Sequence, residues 1–130
     1  MTKPPKILVV DDGRDAADSL CMVLRMFGAD SSVVYDGQSA LNSIRDTKPD
    51  IVLLDLSMPG MDGYEVAEQV RTNPACDDVR LIALTGWGTD EERIRSVAAG
   101  FSDHWVKPVP AATLRKLVTA ELERNAHGDA

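Results

Sequence analysis

The stretch Ile51-Val52-Leu53-Leu54-Asp55 runs four apolar residues straight into a carboxylate. A continuous apolar run, unlike an alternating one, suits a β-strand covered on both faces. Working outward, similar runs occur at Ile7-Leu8-Val9-Val10, Ser32-Val33-Val34-Tyr35 and Leu81-Ile82-Ala83-Leu84, with a weaker one at His104-Trp105-Val106. The intervening segments repeat apolar residues at helical spacing. Ala17, Leu20, Cys21, Leu24 and Phe27 share one face, as do Leu41 with Ile44, and Val66 with Val70. Ile94, Val97 and Ala98 form a fourth stripe, and Leu114, Leu117, Val118 and Leu122 a fifth. Gly28, Pro49, Pro74 and Gly100 stand where the first four helices should stop. Five β-α units predict an α/β, doubly wound fold: a five-stranded parallel sheet with helices on both faces.

The length of 130 residues suits one domain, 1–130. Its core is expected at about 5–124, between short frayed tails at 1–5 and about 125–130. Fourteen basic against 21 acidic residues give a net charge of −7. That balance argues against direct nucleic-acid binding and against an anionic membrane surface. No apolar run reaches membrane-spanning length, and Met1-Thr2-Lys3-Pro4-Pro5-Lys6 lacks a signal-peptide core. A cytoplasmic location follows as the expectation, with no membrane insertion. Cys21 and Cys76 have no metal or redox spacing and read as reduced, inert thiols.

In a doubly wound sheet, ligands sit beyond the carboxyl ends of the strands. The residues there are Asp11-Asp12 after the first run, Asp55 after the third, Thr85-Gly86 after the fourth and Lys107-Pro108 after the fifth. Three neighbouring carboxylates repel one another and call for positive charge. Lys107 supplies one charge, and a hard divalent cation such as Mg²⁺ would supply the rest. No Walker-type phosphate loop and no Gly-x-Gly-x-x-Gly fingerprint occurs, so the parts for holding a nucleotide are missing. The parts for receiving a phosphoryl group are present: a carboxylate can form an acyl phosphate, and Lys with Mg²⁺ can stabilise the transferring oxygens.

These residues resemble the receiver domain of two-component response regulators. The resemblance rests on Val9-Val10-Asp11-Asp12, Leu53-Leu54-Asp55-Leu56-Ser57-Met58-Pro59-Gly60-Met61-Asp62-Gly63, Ala83-Leu84-Thr85-Gly86 and Val106-Lys107-Pro108, and it covers roughly residues 5–124. It implies a (βα)5 flavodoxin-like fold with strand order 2-1-3-4-5. It implies that Asp55 is the phosphoacceptor, that Asp12, Asp55 and the Ser57 main-chain carbonyl bind Mg²⁺ (or Mn²⁺ as a substitute), and that Asp11 acts through a metal-bound water. Thr85 and Lys107 would each contact a phosphoryl oxygen, with Lys107-Pro108 as a cis peptide. The donor would be a histidine kinase or a histidine phosphotransfer protein, and the product a signalling switch rather than a turnover enzyme. The segment 100–108 most resembles receivers attached to hybrid sensor kinases, or standing alone beside them; Met1 fits the stand-alone form.

Three positions depart from the family pattern. Gly13 follows the acidic pair where Asn or Glu is common, which suggests a mobile first loop. His104 stands where an aromatic switch residue is usual. Trp87, two residues past Thr85, is expected to overhang the site. Thr85, His104 and Trp87 are therefore the candidate switch residues. Asp15 and Asp62 read as helix caps, and Glu91-Glu92-Arg93 as a solvated helix face. Two other classes stand beside the switch. One is a phosphorylation-independent binding module of the same fold. The other is an aspartyl-phosphate hydrolase, which would want a second carboxylate where this chain has Ser57.

Overall fold

The computed structural model describes residues 3–128. Strands and helices alternate: β1 (Lys6–Val10), α1 (Arg14–Met26), β2 (Asp30–Val34), α2 (Gly37–Thr47), β3 (Ile51–Asp55), α3 (Gly63–Arg71), β4 (Arg80–Thr85), α4 (Asp90–Ala99), β5 (Asp103–Val106) and α5 (Ala111–Gly128). A short 3-10 turn at Pro74–Cys76 follows α3. All strand pairs are parallel, in the order β2-β1-β3-β4-β5. The chemistry-bearing ends are therefore neighbours: β1 and β3 flank one another, and β4 separates β3 from β5.

The continuous apolar runs serve two cores at once. Leu8, Val10, Val52, Leu54, Leu81 and Ala83 face α2 and α3, where Ile44, Val66 and Val70 meet them. Their alternates Ile7, Val9, Ile51, Leu53, Ile82 and Leu84 face α1 and α5, against Cys21, Leu24, Leu114 and Val118. Every residue of β3 is buried, since it lies between two strands and two helical layers. Both cysteines are buried and unbridged, one in each core.

Four expectations need correction. Strand β2 begins at Asp30 and ends at Val34, leaving Tyr35 beyond it. As the edge strand it is only partly covered, so its pattern is less apolar than its pairing requires. Asp15 lies in the first turn of α1, whose N-cap is Gly13, and makes no cap bond; Asp62 does cap α3, accepting from the Glu65 N–H. Among the described residues the terminal segments are tied at 3–5 and 125–128: α5 continues to Gly128, Asn125 donates to the Lys3 carbonyl at 2.8 Å, and the Pro5 carbonyl accepts from the Asp30 N–H. Met1, Thr2, Asp129 and Ala130 lie outside the described residues.

The fourth correction concerns α4. Ile94 and Val97 are 71% and 74% exposed, while Ser96 and Ala99 are buried. Small residues let α4 approach the α3–β5 layer closely, and Ser96 can be buried because its hydroxyl donates to the Glu92 and Arg93 carbonyls of its own helix. The helix phase is held at both ends. A Thr89–Glu92 capping box fixes the start, and Gly100, at φ 105°, closes the end.

Gly63 shows how tightly α3 abuts the end of β3. A Cβ there would lie 2.4 Å from the Asp55 carbonyl oxygen and 2.9 Å from Leu56 Cα, both backbone atoms that cannot swing aside. Gly63→Ala should cost about 1–3 kcal/mol in urea unfolding through overpacking. Ile94→Ala, on the exposed face of α4, should stay within about 0.5 kcal/mol of wild type. A tolerated Gly63→Ala, or a large loss from Ile94→Ala, would contradict this packing.

Candidate functional site

Four strand ends deliver the candidate residues to one rim. β1 runs into Asp11 and Asp12, β3 ends in Asp55, β4 ends in Thr85, and Lys107 follows β5. The rim is stitched by backbone bonds beyond the ladders. Asp11 N–H donates to Val34, Leu56 N–H to Leu84, and Lys107 N–H to Thr85. The Lys107–Pro108 peptide is cis, as the resemblance implied.

Lys107 Nζ lies 3.2 Å from Asp55 Oδ1 and 3.3 Å from Asp11 Oδ2, so one ammonium bridges two carboxylates. Asp55 is 2% exposed and Asp11 is also buried, whereas Asp12 is exposed. Asp55 Oδ1 also accepts the Ser57 N–H at 3.2 Å, and Asp11 Oδ1 accepts the Gly13 N–H at 3.0 Å. The latter bond pins the first loop that glycine was expected to loosen. Burial, and then the Asp11 charge, push the Asp55 carboxyl up to about 6 against the pull of Ser57 and Lys107. Burial alone would depress the Lys107 ammonium, but Asp55 and Asp11 outweigh it and raise it.

Asp11, Asp12 and Asp55 each offer a carboxylate oxygen, and these oxygens all lie within 4.8 Å of one another. Three carboxylates against one ammonium leave two negative charges uncompensated. A hard, all-oxygen donor set with that deficit suits Mg²⁺. Ser57 follows in the turn after β3 and is exposed.

Thr85 is buried, and its hydroxyl points its proton at Glu92: Oγ1 donates to Oε2 at 2.6 Å. The same oxygen accepts the Trp87 N–H at 3.3 Å. Trp87 thus touches the site through its main chain, while its side chain stands 85% exposed. His104 pairs with Ala83 across the sheet. Both of its ring nitrogens are buried without a hydrogen-bond partner among the described residues. Burial, and then Arg93, hold its basicity below the ordinary histidine range.

Glu92 is the residue that sequence reasoning missed. It was grouped with a solvated face, yet it joins Thr85 to the start of α4. The readable signal was Thr89-x-x-Glu92, a capping box. The cap predicts the carboxylate's position, though not that its second oxygen reaches Thr85.

Comparison with known proteins agrees with this geometry. Residues 7–119 match the response regulator receiver domain family. The DNA-binding response regulator MtrA of Mycolicibacterium smegmatis is 37% identical over 124 residues, covering 95% of this chain and 53% of that protein. The chain thus spans about half the length of the curated relatives it matches. The receiver domain of a DNA-binding response regulator from Colwellia psychrerythraea superposes with a TM-score of 0.83 at 32% identity, covering 91% of this chain and 98% of that one. The Vibrio cholerae chemotaxis protein CheY4 gives a TM-score of 0.85 at 26% identity, covering 91% and 98%. Among the described residues, no helix is long and apolar enough to cross a membrane. With the parallel 2-1-3-4-5 sheet and the acid-lysine rim in place, this chain belongs to the response regulator receiver domain family.

Proposed function

We propose that Asp55 is the phosphoacceptor of a two-component signalling switch, with the whole chain forming one receiver unit. The observation that carries this is the Lys107 bridge from Asp55 to Asp11 at the strand ends. A phosphohistidine on a histidine kinase or histidine phosphotransfer protein is the donor. A carboxylate oxygen of Asp55 attacks phosphorus, the P–N bond breaks, and histidine leaves. Attack of water on the same phosphorus later returns Asp55 and inorganic phosphate. Asp12 and Asp55, with the Ser57 carbonyl, would hold Mg²⁺ directly, and Asp11 through water. Bound there, the ion supplies positive charge to the carboxylates and the transferring oxygens. Lys107, freed from part of its carboxylate load, pairs with one phosphoryl oxygen, and Thr85 donates to another.

The phosphorylation-independent alternative finds no support, because acid, hydroxyl and ammonium groups are all present and assembled. Ser57 stands where a hydrolase of this chemistry would want a second carboxylate, which favours a stoichiometric switch over turnover.

Wild-type protein incubated with a small acyl phosphate and Mg²⁺ should gain the mass of one phosphoryl group by intact mass spectrometry, and Asp55→Asn should not. Equal labelling of both proteins would remove Asp55 from the role.

The electrostatics make a separate prediction for the metal-free protein. Because folding raises the Asp55 value to about 6, the folded state favours the protonated acid. This group adds stability fully at pH below the ordinary carboxylate value and withdraws it as pH rises through 6. In EDTA, Asp55→Asn should therefore be more stable than wild type at pH 8, by on the order of 2 kcal/mol. The difference should shrink steadily toward pH 4. A pH-independent difference in thermal melting would show that the carboxyl is not under this strain.

The donor surface is testable as well. A largely apolar groove of about 240 Å³ opens beside Asp11 and Lys107, lined by Leu20, Val23, Pro108 and Leu114. Leu20→Glu should slow transfer from a phosphohistidine protein about tenfold or more. It should leave labelling by the small acyl phosphate within about twofold, since that donor needs no such surface.

A further inference from the structure

Thr85 has a single hydroxyl proton, and in this structure that proton is engaged by Glu92. A hydroxyl donates one bond, whereas a carboxylate and a phosphoryl oxygen can only accept. Glu92 and a phosphoryl group on Asp55 therefore compete for the same proton. The competitor is well placed. Its other oxygen, Oε1, accepts from the Thr89 N–H at 3.4 Å and from the Thr89 hydroxyl at 3.3 Å. The carboxylate that holds Thr85 is thus itself held by the cap of α4.

We propose that Glu92 is a positioning residue that keeps the Thr85 hydroxyl from a phosphoryl group on Asp55, so that phosphorylation must break the Thr85–Glu92 bond and unload the start of α4. This rests on the reading of Asp55 given above. The Thr85 hydroxyl is the leading reason that the Glu92 carboxyl sits below its ordinary range, so the bond favours the ionised, stronger acceptor. Burial strengthens the competition, because Thr85 is 1% exposed and water has little access to the hydroxyl that is being exchanged. Released from Thr85, Glu92 lies within electrostatic reach of His104, whose ring nitrogens have no partner among the described residues. The cost of phosphorylation is then shared between the site and the helix that carries the exposed Ile94 and Val97.

The test compares the wild-type chain with Glu92→Ala, Glu92→Gln, Thr89→Ala, Thr85→Val and the Glu92→Ala/Thr85→Val double variant. The probe is beryllofluoride with Mg²⁺, a phosphoryl mimic that binds a carboxylate, and its affinity is read from tryptophan fluorescence. Glu92→Ala should bind the probe about 3- to 10-fold more tightly than wild type. Glu92→Gln keeps a neutral acceptor, so it should gain less in the same direction, and it serves if Glu92→Ala fails to fold. Thr89→Ala loosens the hold on Glu92 Oε1 but leaves the competing acceptor, so its gain should be clearly smaller than that of Glu92→Ala. In the Thr85→Val background, Glu92→Ala should change the affinity hardly at all. In metal-free buffer, urea unfolding should show the Glu92 and Thr85 substitutions to be non-additive.

An equal gain in the Thr85→Val background would overturn the proposal, because the effect would then be simple removal of negative charge. An equal gain from Thr89→Ala would also overturn it, in favour of a loosened cap. No gain from Glu92→Gln and Glu92→Ala would mean that no competition exists. If wild type neither binds beryllofluoride nor takes a phosphoryl group, the reading of Asp55 fails instead.

Discussion

Lys107 reaches Asp55 and Asp11 from the far side of β4, and that shared ion pair is the constraint around which the rim is organised. A buried carboxylate beside another is costly unless positive charge is close. One ammonium cannot satisfy two buried acids and an exposed third. The site is thus built short of positive charge, and burial together with the Asp11 charge raises the Asp55 value. A proton can make up the shortfall, and so can a divalent cation. Both routes act on the same carboxylate, so protonation and metal binding should oppose one another. A cation held by these carboxylates would keep Asp55 ionised to lower pH.

The fold creates this arrangement without any dedicated binding loop. Parallel pairing brings the ends of β1, β3, β4 and β5 to one edge in fixed register, with Asp55 opposite Leu84 and Thr85 opposite Val106. Two apolar layers then lock the strands against sliding, since the residues of each central strand alternate between the two cores. Gly63 presses the N-terminus of α3 onto the back of Asp55, which leaves the Asp55 backbone no freedom to withdraw. Rigidity behind the rim contrasts with the side facing α4, which the Thr85 hydroxyl meets through its one bond to Glu92.

Much of this was legible in the residues. Apolar runs ending in Asp and Thr marked both the strands and the ends that meet at one rim, because a central strand buried on both faces cannot hide its pattern. The gathering of Asp11, Asp12 and Asp55 was legible for the same reason: polar groups directly after such runs have few other places to go. Helix α4 was misread because periodicity assumes that the larger apolar residues face inward. There Ser96 satisfies its own hydroxyl within the helix, so small side chains can take the inner face and send Ile94 and Val97 outward. The Thr85–Glu92 bond was out of reach because it joins residues from two elements whose approach only the packing determines. The bounds of edge strand β2 and the contacts of Lys3, Pro5 and Asn125 escaped for a related reason: partial burial and backbone bonds leave little trace in composition.

The self-satisfied serine in α4 has a further consequence for motion. A helix that buries mainly Ser96 and Ala99 removes little apolar surface from water, so little hydrophobic free energy resists its detachment. Helix α3, which buries Tyr64, Val66, Ala67 and Val70, is anchored far more strongly. Amide hydrogen exchange should accordingly open α4 as a local unit while α3 and the sheet stay closed. The helix that can loosen at least expense is the one whose cap touches the site.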